Sequence, residues 1–186
     1  MKNLLVAFLL IASFRLSAQE NLNFGKQKEL VSPEIHTDKS VTFRLYAPQA
    51  NKVELQGDML NQTGNAQMQK QADGIWTYTT APLKSELYSY SFVLDGVKTR
   101  DPSNVYQIRD VASVVNVFLV GDGKADHYAV TDVPHGTLAK RWYNSPRNNM
   151  NRRLTVYTPP GYESGKQKYP VLYLLHGMGG DEEAWA

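Results

Sequence analysis

Between Ser40 and Val120 the chain runs in short stretches of strict two-residue alternation, each closed by a turn signal. Val41, Phe43 and Leu45 alternate with Thr42, Arg44 and Tyr46. Tyr88, Tyr90, Phe92 and Leu94 alternate with Ser89 and Ser91. A period of two places one residue set on one face of a strand, whereas a helix repeats every 3.6 residues and would scatter that set. Ala47-Pro-Gln-Ala-Asn51, Gly57-Asp58, Asp73-Gly74, Asp95-Gly96, Asp101-Pro-Ser-Asn104 and Gly121-Asp-Gly123 punctuate the runs with residues that accept or prefer turn geometry. The strands expected are 41–46, 52–56, 75–79, 87–94, 97–99 and 113–120. The polar stretch after Asp58, to about Gln71, carries no pattern. Six or seven short strands at this spacing describe an all-β, immunoglobulin-like sandwich over residues 34–121.

The ends of the chain follow other rules. Met1-Lys-Asn begins a cationic start, and Leu4 to Ser13 is an apolar core shorter than the roughly 20 residues a bilayer span takes. Ser17 and Ala18 offer a cleavage site, so residues 1–18 are expected to be a signal peptide cut after Ala18 and the mature protein secreted or periplasmic, with no stable membrane anchor. Residues 19–33 form a polar leader. The chain has no cysteine, which removes disulfides, thiolate catalysis and lipid attachment through cysteine. Its formal charge is +2, and with Lys2 and Arg15 gone it is near neutral, with no basic block for nucleic acid.

After Gly123 the pattern changes. Residues 122–134 are a linker, with some strand character from Asp126 to Pro134. Gly136–Tyr143 and Arg152–Thr158 are expected as two strands joined by the polar loop 144–151, with Arg152-Arg153 a solvated strand start. Val171 to Leu175 is continuously apolar, the signature of a strand buried on both faces in a parallel sheet. It stops at His176-Gly-Met-Gly-Gly180, and open α/β sheets place their chemistry at such carboxyl-end turns.

His135-Gly136, Trp142-Tyr143, Tyr157-Thr-Pro-Pro-Gly-Tyr162 and Tyr169-Pro-Val-Leu-Tyr-Leu-Leu-His-Gly-Met-Gly-Gly180 resemble the opening of the esterase-D-like carbohydrate esterases, α/β-hydrolases of the feruloyl and acetyl xylan esterase type. Val41-Thr-Phe-Arg-Leu-Tyr-Ala-Pro48, Asp73-Gly-Ile-Trp76, Tyr88-Ser-Tyr-Ser-Phe-Val-Leu-Asp-Gly96 and Asp101-Pro-Ser-Asn104 resemble the early-set module of the glycogen- and starch-binding type. The resemblance implies a Ser-His-Asp acyl-transfer enzyme without a cofactor, acting on an ester of a plant cell-wall polysaccharide such as arabinoxylan. Residues 135–186 would then be the truncated start of the hydrolase domain. They hold no G-x-S-x-G elbow, so the nucleophile, acid and catalytic histidine would be absent and the chain alone inactive.

What carries over by position is one oxyanion-hole donor, the backbone N–H of Met178 or next of Gly179, with His176, Gly177 and Gly180 shaping the loop and Asp181 capping the helix after it. Trp185 is either an acyl-pocket residue or a helix residue packed on the sheet. Trp76 and Tyr78 are candidates for stacking on sugar, with the core as the competing place for the same face. His135 is expected to hydrogen-bond a loop, and His36 and His127 stand alone, so no metal is expected. Two other readings stay open: a non-catalytic carbohydrate-binding protein, and part of a starch- or glycogen-active glycoside hydrolase.

Overall fold

The structure is a computed structural model that describes residues 30–60, 64–110, 113–178 and 180–184. The signal-peptide expectation, Gly179 and Trp185 lie outside the described residues. The strands are β1 (Glu34–Ile35), β2 (Val41–Tyr46), β3 (Val53–Gly57), β4 (Asn65–Gln67), β5 (Gln69–Lys70), β6 (Ile75–Thr79), β7 (Glu86–Leu94), β8 (Val97–Thr99), β9 (Gln107–Asp110), β10 (Ser113–Val120), β11 (Thr137–Ser145) and β12 (Met150–Thr158). One sheet has the order β1-β2-β6-β5. The other has β4-β3-β7-β10-β9, with β8 also on β7, and every pairing is antiparallel. The all-β sandwich expected from the alternation is what forms.

The alternating residues meet between the sheets. Val41, Phe43, Leu45 and Trp76 of one sheet face Val53, Leu55, Tyr90, Phe92, Phe118 and Val120 of the other in one cluster. Phe43 sits edge-on to Tyr90 at 4.8 Å and to Phe118 at 5.5 Å, a geometry that adds about 0.5–1.5 kcal/mol per pair beyond burial. The Asp95-Gly96 turn has φ of 44° and 89°, the left-handed pair that a two-residue hairpin requires. The Asp95 carboxylate also accepts the N–H groups of Asn51 and Lys52, at 3.1 and 2.7 Å, and so pins the β2–β3 turn.

A buried polar cluster lies against this core. Asp101 Oδ2 accepts hydrogen bonds from Ser32 Oγ at 2.6 Å and Tyr90 Oη at 2.8 Å, and Oδ1 accepts the Ser103 N–H. The Asp101 N–H donates to Asn116 Oδ1 at 2.7 Å, and Asn116 Nδ2 donates to the Asn104 carbonyl at 2.9 Å. Asn104 Nδ2 donates to Tyr90 Oη and to the Val117 carbonyl. Ser32, in the polar segment ahead of the first strand, is therefore built into the sandwich.

Several expectations change. The unpatterned stretch before Gln71 contains β4 and β5, because Met68 between them inserts into the core and Gln67 Nε2 caps the Val53 carbonyl. Strand character in Asp126–Pro134 gives way to a 3-10 turn at Lys124–His127, since the Asp126 carboxylate takes up the N–H groups of Asp122 and Gly123. His36 is not partnerless; its Nε2 lies 2.8 Å from Thr42 Oγ1. β11 and β12 pair over their full length, from Thr137↔Thr158 to Ser145↔Met150, around a shorter loop than expected. Val171–Leu175 forms no strand ladder and is exposed, because β11 and β12 pair with each other and the parallel neighbours such a strand needs are not among the described residues.

Asn116→Ala removes the partners of two buried backbone groups and should cost about 2–4 kcal/mol, read as a lower urea midpoint at unchanged slope. Burial holds the Asp101 carboxyl above the usual carboxylate range, offset in part by the hydrogen bonds from Ser32, the Ser103 N–H and Tyr90. The folded state thus binds this proton more tightly than the unfolded chain does. Its contribution is full below the unfolded value of 3.8 and is lost as pH rises through the higher folded value. On acidification from about pH 7 to about pH 4, wild type should gain stability relative to Asp101→Asn in paired urea titrations, and a constant difference would contradict this account.

Candidate functional site

The loop after the apolar run is a tight turn. The Gly180 N–H donates to the Gly177 carbonyl at 3.1 Å, and His176 Nδ1 donates to the same oxygen at 2.8 Å. A Cβ at residue 180 would come within 3.0 Å of the His176 side chain, so the fold of the histidine over the turn requires glycine there. His176 is engaged in shaping the loop. Met178 stands at the apex, fully exposed, and among the described residues nothing takes its N–H. An N–H projecting from a glycine turn is the kind of donor that stabilises a tetrahedral oxyanion.

The residues that follow close a single turn. Asp181 Oδ1 accepts the Glu183 N–H at 2.9 Å, and the Asp181 carbonyl accepts the Ala184 N–H at 3.1 Å; the helix expected after Asp181 is not among the described residues. The acidic run is also clamped from outside. Arg153 on β12 donates through Nε to Glu182 and through Nη2 to Glu183 at 2.8 Å. Lys140 on β11 reaches Glu183 at 2.6 Å, and Arg109 on β9 of the sandwich reaches Asp181 at 3.5 Å. A hydrogen bond from its own backbone and the Arg153 guanidinium lower the Glu182 carboxyl below its usual range. Arg153 is therefore not a solvated strand start: only 26% of its side chain is exposed, and its acidic partners lie 29 and 30 residues away. No local pattern in the sequence announces that pairing.

The sugar-stacking candidates lie inward. Trp76 is buried, with Nε1 donating to the Ala47 carbonyl at 2.9 Å, and Tyr78 packs on the core beside it. Core is the role their shared strand face takes. His135 Nε2 lies 3.0 Å from the Thr131 carbonyl, the loop bond expected of it. Among the described residues no three His, Cys, Asp or Glu side chains gather as metal ligands would.

The alternation did not single out a shallow polar depression of about 230 Å³ on the six-stranded sheet, lined by Gln56, Asp58, Ser89, Ser91, Lys98 and Val115 among others. Asp58 is held there by the Ser89 N–H and hydroxyl, at 3.0 and 2.9 Å. The Ser91 hydroxyl is buried and has no hydrogen-bond partner among the described residues. Ser89 and Ser91 are legible only as the polar side of β7; that this side is concave follows from the β3–β4 turn beside it.

Comparison with known proteins sorts these parts. Residues 29–107 match the family model of carbohydrate-binding module 48 (isoamylase N-terminal domain). Over 159 residues the chain is 30% identical to an endo-1,4-beta-xylanase/feruloyl esterase of Xylanibacter ruminicola, an alignment that takes in 82% of this chain and 22% of that protein. The chain thus spans about a fifth of the length of that curated relative. Among solved structures, the enterobactin esterase of Shigella flexneri aligns with 62% of this chain and 39% of its own at 17% identity and a TM-score of 0.46. Type I pullulanase of Bacillus subtilis aligns with 55% of this chain and 14% of its own at 20% identity and a TM-score of 0.41. Residues 29–107 are thus similar to carbohydrate-binding module 48, and the chain beyond them is similar to part of an endo-1,4-beta-xylanase/feruloyl esterase.

Proposed function

We propose that the chain is part of a secreted serine carboxylic-ester hydrolase acting on feruloyl or acetyl esters of an arabinoxylan-like polysaccharide. The observation that carries this reading is the 30% identity to a xylanase/feruloyl esterase, which covers 82% of the chain and so takes in more than the sandwich. The turn geometry is consistent with it, since the Met178 N–H stands at the apex of a glycine loop whose histidine is already engaged. In this reading the Met178 N–H is one donor to the carbonyl oxygen as it becomes an oxyanion. The nucleophilic serine, the acid and the general base lie outside these 186 residues, which contain no G-x-S-x-G. The sandwich serves the same reaction by holding polysaccharide, and the polar depression beside Lys98 is where its outer face is concave.

The product of the complete gene should hydrolyse methyl ferulate or acetylated xylan, and the 186-residue chain alone should hydrolyse neither. Met178→Pro, which deletes the N–H, should lower kcat by about 10²–10³ with KM little changed. Full activity in that variant would remove the loop from the reaction. In affinity electrophoresis the chain should be retarded by arabinoxylan, less so as Lys98→Ala. Mobility unaffected by the polysaccharide would leave the sandwich without a binding role.

A further inference from the structure

Three glycines, Gly177, Gly179 and Gly180, surround Met178. Glycine gives a loop access to its turn geometry and also freedom to leave it. An oxyanion donor is effective only if held within about 0.5 Å of its place, so something outside the loop has to hold it. The apolar run precedes the loop, and the acidic run Asp181–Glu183 follows it directly.

The acidic run meets a set of cations on already rigid elements. Arg153 lies opposite Trp142 in the β11–β12 ladder, with its guanidinium carbon 5.7 Å from the indole centroid. Strand pairing and the ring together restrict the guanidinium, and its planar fork is divided between Glu182 and Glu183. Lys140, two residues from Trp142 on the same face of β11, shares the Glu183 oxygen. An isolated ion pair in water contributes little. This one is a network in which three cations answer three carboxylates, and the side chains of Arg153, Asp181, Glu182 and Glu183 are each at most 26% exposed.

We propose that Arg153 is the positioning residue of the oxyanion loop: bound to Glu182 and Glu183, it fixes the segment that carries the Met178 N–H. The inference rests on the esterase reading. Arg153 touches no reacting atom; it acts on the rate through the position of the loop. It therefore affects transition-state stabilisation and leaves ground-state binding of the ester alone.

The test uses the product of the complete gene, with methyl ferulate as substrate and an arylboronic acid as oxyanion mimic. Arg153→Gln should lower kcat about tenfold with KM within about twofold, and should weaken the boronate by a similar factor. Arg153→Lys, which keeps the charge without the fork, should recover part of the loss. Should Arg153→Gln fail to fold, Glu182→Gln reads the same contact from the other side. Unchanged kcat and boronate affinity, or a loss carried by KM alone, would overturn the inference and leave the esterase reading standing. A wild-type protein that hydrolyses no ester would overturn that reading and the inference with it.

Discussion

The sandwich depends on the buried carboxylate of Asp101. Hydrophobic burial between two sheets is non-directional and would tolerate several relative placements. Asp101 removes that freedom by accepting from Ser32 ahead of β1 and from Tyr90 on β7, while its N–H is taken by Asn116 on β10. A carboxylate out of water is costly unless its lone pairs are filled, so the cluster is favourable only when every member is in place. Tyr90 is held in the same way: burial and the neighbouring Asp101 charge keep its hydroxyl protonated and donating. The aromatic core and the polar cluster share this one residue, which is how the strand register and the closing of the sheets become a single condition.

The strands that were legible in the sequence are those whose partner information is local. β2, β3, β6, β7, β8 and β10 combine alternation with turn residues, and Asp95-Gly96 dictates its hairpin almost without help. β4 and β5 were not legible because their residues are polar and their position depends on Met68 reaching a core made elsewhere. β9 was missed for a different reason: Val105, Tyr106 and Ile108 lie around or on an edge strand and stay exposed, so no buried face writes a pattern there. Trp76 was ambiguous for a physical cause, since a period of two says which residues share a face and not what covers it.

The same limit applies to the C-terminal loop. Its glycine turn and the acidic turn after it follow from residue types within a few positions. What holds the loop does not, because Arg153, Lys140 and Arg109 come from three different strands and meet the acidic run only in the folded chain. Here the sandwich and the hairpin touch the same short segment. The sandwich is thereby tied mechanically to the loop as well as placed before it in the chain.

The Ser32–Asp101 bond joins residues 69 positions apart, and Asn116, further along still, closes the same cluster. The polar cluster therefore cannot be completed until β10 is present. Contacts of this range are slow to form, because loop closure is unfavourable before any reward arrives. Closing the cluster then depends on one asparagine whose side chain lies further along the chain than any other in it.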